Sequence, residues 1–222
     1  MLKKIFKFIS SILAAKHLYI TKSLEYFDKK DLFLDLNMDY VRYRTLELCM
    51  SEIKKKGIQG NMAEVGVYKG SFSEKLNKIF PDRKLYLFDT FEGFDVKDIV
   101  VEKENNYSTG DQDFSDTSVE FVLSRMKNRE NCIVRKGFFP ATAEGLEDKF
   151  CFVSLDADLY QPILAGLEYF YPRLEPGGYI FIHDFNNQQY VGARDAVIKF
   201  CSANGLGFVP IPDIGGTAII SK

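Results

Sequence analysis

Five short apolar runs separated by helical patterns constrain this chain more than any other feature. The runs lie at 62–67, 84–89, 132–136, 150–156 and 179–184. Segments 71–80, 116–127, 160–174 and 190–201 fall between or after them and repeat apolar residues at helical spacing. Strands that alternate with helices predict an α/β protein, a doubly wound Rossmann-like fold whose mostly parallel sheet is covered on both faces. Two last runs, 207–211 and 217–221, are close enough to pair as a hairpin and give the sheet an antiparallel edge strand. With 222 residues, 46% of them hydrophobic, the chain can bury one continuous core, and wholesale disorder is excluded. A balance of 29 basic against 31 acidic residues gives no global basic excess to suit nucleic acid.

Cys49, Cys132, Cys151 and Cys201 are far apart and form no C-x-x-C pair. They read as free thiols in a reducing compartment, the cytoplasm, and not as a zinc site or a disulfide framework. Residues 1–56 read as an N-terminal helical extension and 57–222 as the α/β domain. Leu2, Ile5, Ile9, Ile12 and Leu13 recur at helical spacing among Lys3, Lys4 and Lys7. That run is too short for the ~20 residues of a membrane span. It fits an amphipathic helix packed on the fold or on a second subunit of a homo-oligomer, with an anionic membrane surface or a cleaved signal as alternatives. Residues 17–56 read as helical, His17 as structural or exposed, and the 40–53 periodicity stops at Gly57 and Gly60. Residues 95–115 fit neither period and read as a long loop over a site.

Two clusters carry chemistry. The first is Glu64-Val65-Gly66-Val67-Tyr68-Lys69-Gly70-Ser71, a strand, a glycine-punctuated turn and a helix start. Its E-x-G-x-x-x-G spacing lacks the closer glycines that seat a pyrophosphate, so a nicotinamide dinucleotide is disfavoured. Glu64 can accept from a cationic amino group. Asp89, which ends the next strand 25 residues later, can hold ribose hydroxyls. An amino acid, a ribose and no phosphate describe S-adenosylmethionine. The second cluster is Asp156, Asp158, His183 and Asp184, at the ends of two later strands. Carboxylates gathered at one sheet edge repel unless a cation or protons lie between them, and oxygen donors suit Mg²⁺. Solvated, helix-capping carboxylates and a hydrogen-bonded histidine remain the alternative. Phe138, Phe139 and Tyr160 suit either a sugar site or the core.

The stretches EVGVYKG (64–70), LFDTFEGF (87–94), KGFFPAT (136–142), LDADLY (155–160) and YPRLEPGGYIFIHDF (171–185) resemble the macrocin O-methyltransferase family, sugar-hydroxyl methylating enzymes that use S-adenosylmethionine. The resemblance implies a seven-stranded methyltransferase fold. It assigns Glu64, Gly66, Tyr68 and Ser71 to the cofactor turn, and Asp89, with Thr90 and Phe91 beside it, to the ribose. Asp156 and Asp184 match the family's Mg²⁺ ligands, and His183 stands where the family usually has aspartate. On this reading the metal orients and acidifies a sugar hydroxyl, and His183 or a ligating carboxylate, Asp156 among them, takes its proton. The rivals are methylation of a catechol-like phenol and a non-catalytic cofactor-binding protein.

Overall fold

The computed structural model describes residues 2–16 and 39–222. His17 and the helical reading of 17–38 lie outside the described residues. The chain forms two compact units, Met1–Asp35 and Leu36–Lys222. In the first, α1 (Leu2–Ala14) is a helix on which Ile5, Phe6, Phe8, Ile9 and Ile12 are exposed. Among the described residues no helix is long and apolar enough to cross a membrane.

The second unit runs α2 (Tyr40–Lys55), β1 (Asn61–Val65), α3 (Ser71–Ile79), β2 (Leu85–Asp89), α4 (Val96–Glu104), α5 (Val119–Arg125), β3 (Cys132–Lys136), β4 (Phe150–Leu155), α6 (Tyr160–Arg173), β5 (Leu174–Ile182), α7 (Val191–Asn204), β6 (Val209–Ile211) and β7 (Thr217–Ser221). The strands form one seven-stranded sheet in the order β3-β2-β1-β4-β5-β7-β6. All neighbours from β3 to β5 pair in parallel, and β7 runs antiparallel to both β5 and β6. The order reverses between β1 and β4, the switch point beside which open α/β sheets bind ligands.

The continuous apolar runs are the strands because both of their faces are covered. Phe150 packs edge-on against Phe170 of α6, with ring centroids 5.0 Å apart. Phe152 packs against Phe72 of α3 and against Phe181. Phe88, Phe150, Phe152, Phe170 and Phe181 are all fully buried. Each such side chain contributes about 1.5–3 kcal/mol relative to exposure. Helix α2 starts where the Asp39 carboxylate accepts from the backbone N–H groups of Val41 and Arg42. It belongs to the second unit and packs on β5, burying Leu46, Met50 and Ile53. Three of the four cysteines are buried and all are free thiols.

Helix α4 lies inside the stretch that fits neither period in the sequence. Asp95 caps it by accepting from the Lys97 N–H. Its buried residues are Asp98 and Glu102, while Val96 and Val100 are exposed. The helix is amphipathic with the polarity reversed, so apolar periodicity does not find it. Glu102 is fully buried because it has donors: the Tyr160 N–H at 2.8 Å and the Ser108 hydroxyl at 2.6 Å. It thereby caps α6, whose own N-cap residue Leu159 offers no side-chain acceptor. Glu102→Ala is expected to cost about 1–2 kcal/mol and to lower the melting temperature by roughly 2–8 °C. Val96→Ser, at a 72% exposed position, is expected to leave it unchanged. Equal melting curves for the two variants would remove this capping role.

Candidate active site

The cavity opens at the switch point and encloses about 330 Å³, the low end of the range for small-molecule sites. Its floor is the turn after β1. Gly66 has φ +83°, and a Cβ there would lie 2.1 Å from the Asp156 carbonyl oxygen, so only glycine lets the turn pass the end of β4. The Asp89 carboxylate fixes this turn. It accepts from the N–H groups of Val67 at 2.7 Å, Tyr68 at 2.8 Å and Phe91 at 2.6 Å. Tyr68 and Lys69 are fastened in turn to Asp116. Thr90 lines the cavity and donates to the Gly93 carbonyl. Glu64, Gly66, Tyr68, Ser71 and Asp89 line it too; Phe91 does not, and its buried ring leaves only its N–H engaged with Asp89.

Glu64 is 1% exposed and accepts from the Ser73 hydroxyl. Burial pushes its carboxyl up to about 8. A cationic group entering the cavity beside it would favour the ionised form.

The other end of the cavity is charged. Asp156, at the end of β4, meets Arg42 of α2, with Nη2 to Oδ2 at 2.8 Å. The guanidinium also lies 4.4 Å from the centre of the Phe72 ring. The Nδ1 atom of His183 is 3.0 Å from Asp156 Oδ1 and 3.0 Å from Asp184 Oδ2. Its Nε2 is 2.8 Å from the Ile214 carbonyl. Asn187 donates to Asp184 Oδ1 at 2.7 Å. Burial opposes the charge of Asp156, but Arg42 and His183 outweigh it and hold the carboxyl far below its usual range. Burial likewise opposes a His183 cation, and the charge and hydrogen bonds of Asp156, with a further bond from Asp184, outweigh it and lift the ring to about 10. Asp158 behaves in the opposite way. Burial and the negative charges of Asp184 and Asp156 hold it well above the carboxylate range. Tyr68, Asp158 and Asp184, all lining the cavity, have left-handed backbone, with φ between 48° and 60°. Such conformations gather at functional sites.

One ligand atom from each of Asp156, His183 and Asp184 lies within 4.8 Å of the others. Two carboxylate oxygens and an imidazole nitrogen, oriented by Arg42, Asn187 and the Ile214 carbonyl, form a donor set that fits a divalent cation. Arg42, Asp98 and Phe114 are among the cavity residues that the sequence reading does not single out. Arg42 stands 114 positions from Asp156, and no local pattern links them. Asp98 does have a signal, its i, i+4 spacing with Glu102 across a buried helix face. Phe138 and Phe139 line the cavity, whereas Tyr160 stacks on Tyr107 outside it, with centroids 5.0 Å apart.

A doubly wound sheet with a cavity at its switch point, and a β1 turn without the glycine spacing that seats a pyrophosphate, fits the methyltransferase class. Residues 38–221 match the family described as Macrocin-O-methyltransferase (TylF). The chain belongs to that family and is an O-methyltransferase that uses S-adenosylmethionine. It is 26% identical to the 8-demethyl-8-(2,3-dimethoxy-alpha-L-rhamnosyl)-tetracenomycin-C 4'-O-methyltransferase of Streptomyces olivaceus, over 80% of this chain and 71% of that protein. It is also 26% identical to the mycinamicin III 3''-O-methyltransferase of Micromonospora griseorubida, over 74% and 69%. Its fold is similar to that of the O-methyltransferase NovP (TM-score 0.66, 18% identity, 82% of this chain and 79% of that one). It also resembles the calicheamicin methyltransferase CalS11 (TM-score 0.62, 20% identity, 81% and 80%).

The pH response of Glu64 follows from its burial. Its pKa rises from 4.5 to about 8, so the stability of the folded form is full below the unfolded value and is lost as pH climbs through about 8. In calorimetric scans of the ligand-free protein, Glu64→Gln is expected to gain on the wild type between pH 5 and pH 8, by at least roughly 3 °C, and to level off above. A difference in melting temperature that does not vary with pH would contradict a neutral, buried Glu64.

Proposed function

We propose that the protein transfers the methyl group of S-adenosylmethionine to a hydroxyl of a sugar or glycosylated metabolite, with a divalent cation assisting, Mg²⁺ being the ion that the family resemblance implies. One observation carries the reading: the Glu64–Asp89 turn and the Asp156–His183–Asp184 cluster open into the same cavity. The sulfonium already activates the methyl group, so the chain's task is to align donor and acceptor. Such alignment is worth up to roughly 7–11 kcal/mol in ideal cases. Glu64 receives the ammonium of the donor and Asp89 its ribose, while the backbone N–H groups already bound to Asp89 keep that carboxylate in place. The sugar acceptor is favoured by the relative named for methylating a rhamnosyl-bearing compound. The cavity wall supports it as well. Phe94 and Phe114 make part of it apolar, and Asp98 adds an acidic group, a pairing that suits a sugar.

Asp156, Asp184 and His183 would hold the cation, which when bound supplies positive charge that acidifies a neighbouring hydroxyl. Both nitrogens of His183 are engaged, Nδ1 by the two carboxylates and Nε2 by the Ile214 carbonyl. Burial and the negative charges of Asp184 and Asp156 otherwise keep Asp158 protonated; with the cation bound those charges would be offset, so Asp158, which lines the cavity, would be ionised and free to take the proton of the acceptor. Arg42 keeps Asp156 ionised and aimed.

The test is S-adenosylhomocysteine formation against a panel of free sugars, nucleotide sugars, glycosides and catechols. Turnover confined to sugar-bearing acceptors is the expected outcome; turnover confined to catechols would replace the acceptor class. Asp156→Asn is expected to lower kcat by roughly 10–100-fold while the Kd for S-adenosylmethionine stays within about threefold. Full activity in that variant would take the cation out of the reaction.

A further inference from the structure

We infer that the cation site of this chain is a mixed nitrogen–oxygen site, with Nδ1 of His183 as a ligand, and that it takes a first-row transition ion in preference to Mg²⁺. The inference rests on the cation-assisted reading above and adds to it which ion the residues select.

The distribution of hydrogen bonds carries it. Each carboxylate has one oxygen held by a protein donor and the other turned toward the same point. Asp156 gives Oδ2 to Arg42 at 2.8 Å and Asp184 gives Oδ1 to Asn187 at 2.7 Å. Asp156 Oδ1 and Asp184 Oδ2 both lie 3.0 Å from His183 Nδ1. The other ring nitrogen, Nε2, is 2.8 Å from the Ile214 carbonyl. A carbonyl only accepts, so Nε2 carries a proton and points away from the cluster. Nδ1 is the atom left to coordinate. A histidine ligand whose second nitrogen donates to a backbone carbonyl is the usual arrangement at metal centres.

The turn after Ile214 fixes the ring. Gly215 has φ +80°, and a Cβ there would lie 2.9 Å from Asp184 Oδ1 and 3.1 Å from His183 Cε1. Backbone is thus packed directly against both ligands, which gives the site a set geometry. Mg²⁺ favours oxygen donors throughout and gives up its waters reluctantly. An imidazole nitrogen adds little for Mg²⁺ and more for Mn²⁺, Co²⁺ and Zn²⁺, whose affinities rise along the divalent series. A bound ion takes the place of the proton that otherwise lets His183 bridge the two carboxylates, so one proton leaves as the ion enters.

The test uses the full chain, stripped with chelator and titrated separately with Co²⁺ and Mg²⁺ by calorimetry. The visible spectrum of the Co²⁺ form is recorded alongside. One Co²⁺ per chain is expected, bound at least about tenfold tighter than Mg²⁺, with ligand-field bands that report nitrogen coordination. His183→Asp supplies an oxygen donor in place of the nitrogen. It is expected to reduce the Co²⁺ preference by roughly 10–100-fold and to alter the bands. Asn187→Ala, which leaves all three ligands, is expected to weaken both ions without changing their ratio. Circular dichroism of each variant separates loss of the ligand from loss of the fold. Equal affinity for both ions, an unchanged ratio in His183→Asp, or no ion bound by the wild type would each overturn the inference; in the last case His183 itself serves as the cation between the carboxylates. Selectivity is read without turnover. A protein that prefers Co²⁺ yet forms no S-adenosylhomocysteine with any acceptor would therefore overturn the assigned reaction and leave the ion site standing.

Discussion

The half-buried Asp156 carboxylate is the point on which this structure depends. It ends β4, one side of the switch point, and its two oxygens are taken by a guanidinium from α2 and by an imidazole from just beyond β5. Helix α2 is thereby tied to the carboxyl edge of the sheet and not only to its face. Arg42 is buried and Asp156 only about a fifth exposed, so removing either leaves the other's charge largely without compensation. The same geometry shapes the cluster. Arg42 keeps Asp156 ionised while its second oxygen stays directed at the cluster. The Ile214 carbonyl, from the segment before β7, does the corresponding service for His183.

The two ends of the cavity are built by different means. At the turn after β1 the work is done by backbone. Gly66 permits an approach that no side chain would allow, and Asp89 binds three N–H groups that a loop would otherwise leave to water. At the far end it is done by charge, with two cations set against three carboxyl groups, one of which, Asp158, retains its proton easily. A donor that carries its own positive charge suits the first end. An acceptor that must shed a proton suits the second. Residues 94–114 supply the rings of Phe94 and Phe114 and the acidic side chains of Asp95 and Asp98.

Much of this was legible in the sequence, for a physical reason. Strands buried on both faces leave continuous apolar runs, so β1 to β5 were expected close to where they lie. The glycines of the β1 turn and the acidic residues at strand ends could be read because parallel topology brings those ends together. Helix α4 was hidden because it buries Asp98 and Glu102 and exposes valines, the reverse of the pattern that apolar periodicity detects. Arg42 was hidden because its partner is 114 positions away on an element that reads only as a packing helix. His183 was visible as a residue, but its two engaged nitrogens were not, since the Ile214 carbonyl reaches it only through the register of β7 against β5.

The central claim is that one cavity holds a sulfonium donor at the β1 turn and an ion-assisted hydroxyl at the ends of β4 and β5. A crystal structure with S-adenosylhomocysteine bound tests it most directly. The account predicts the ligand's ammonium within hydrogen-bonding distance of Glu64, its ribose hydroxyls at Asp89, and its sulfur facing the side where Asp156 and Asp158 lie. A ligand bound the other way round, with its adenine against Asp156 and its amino acid end at Asp89, would contradict it.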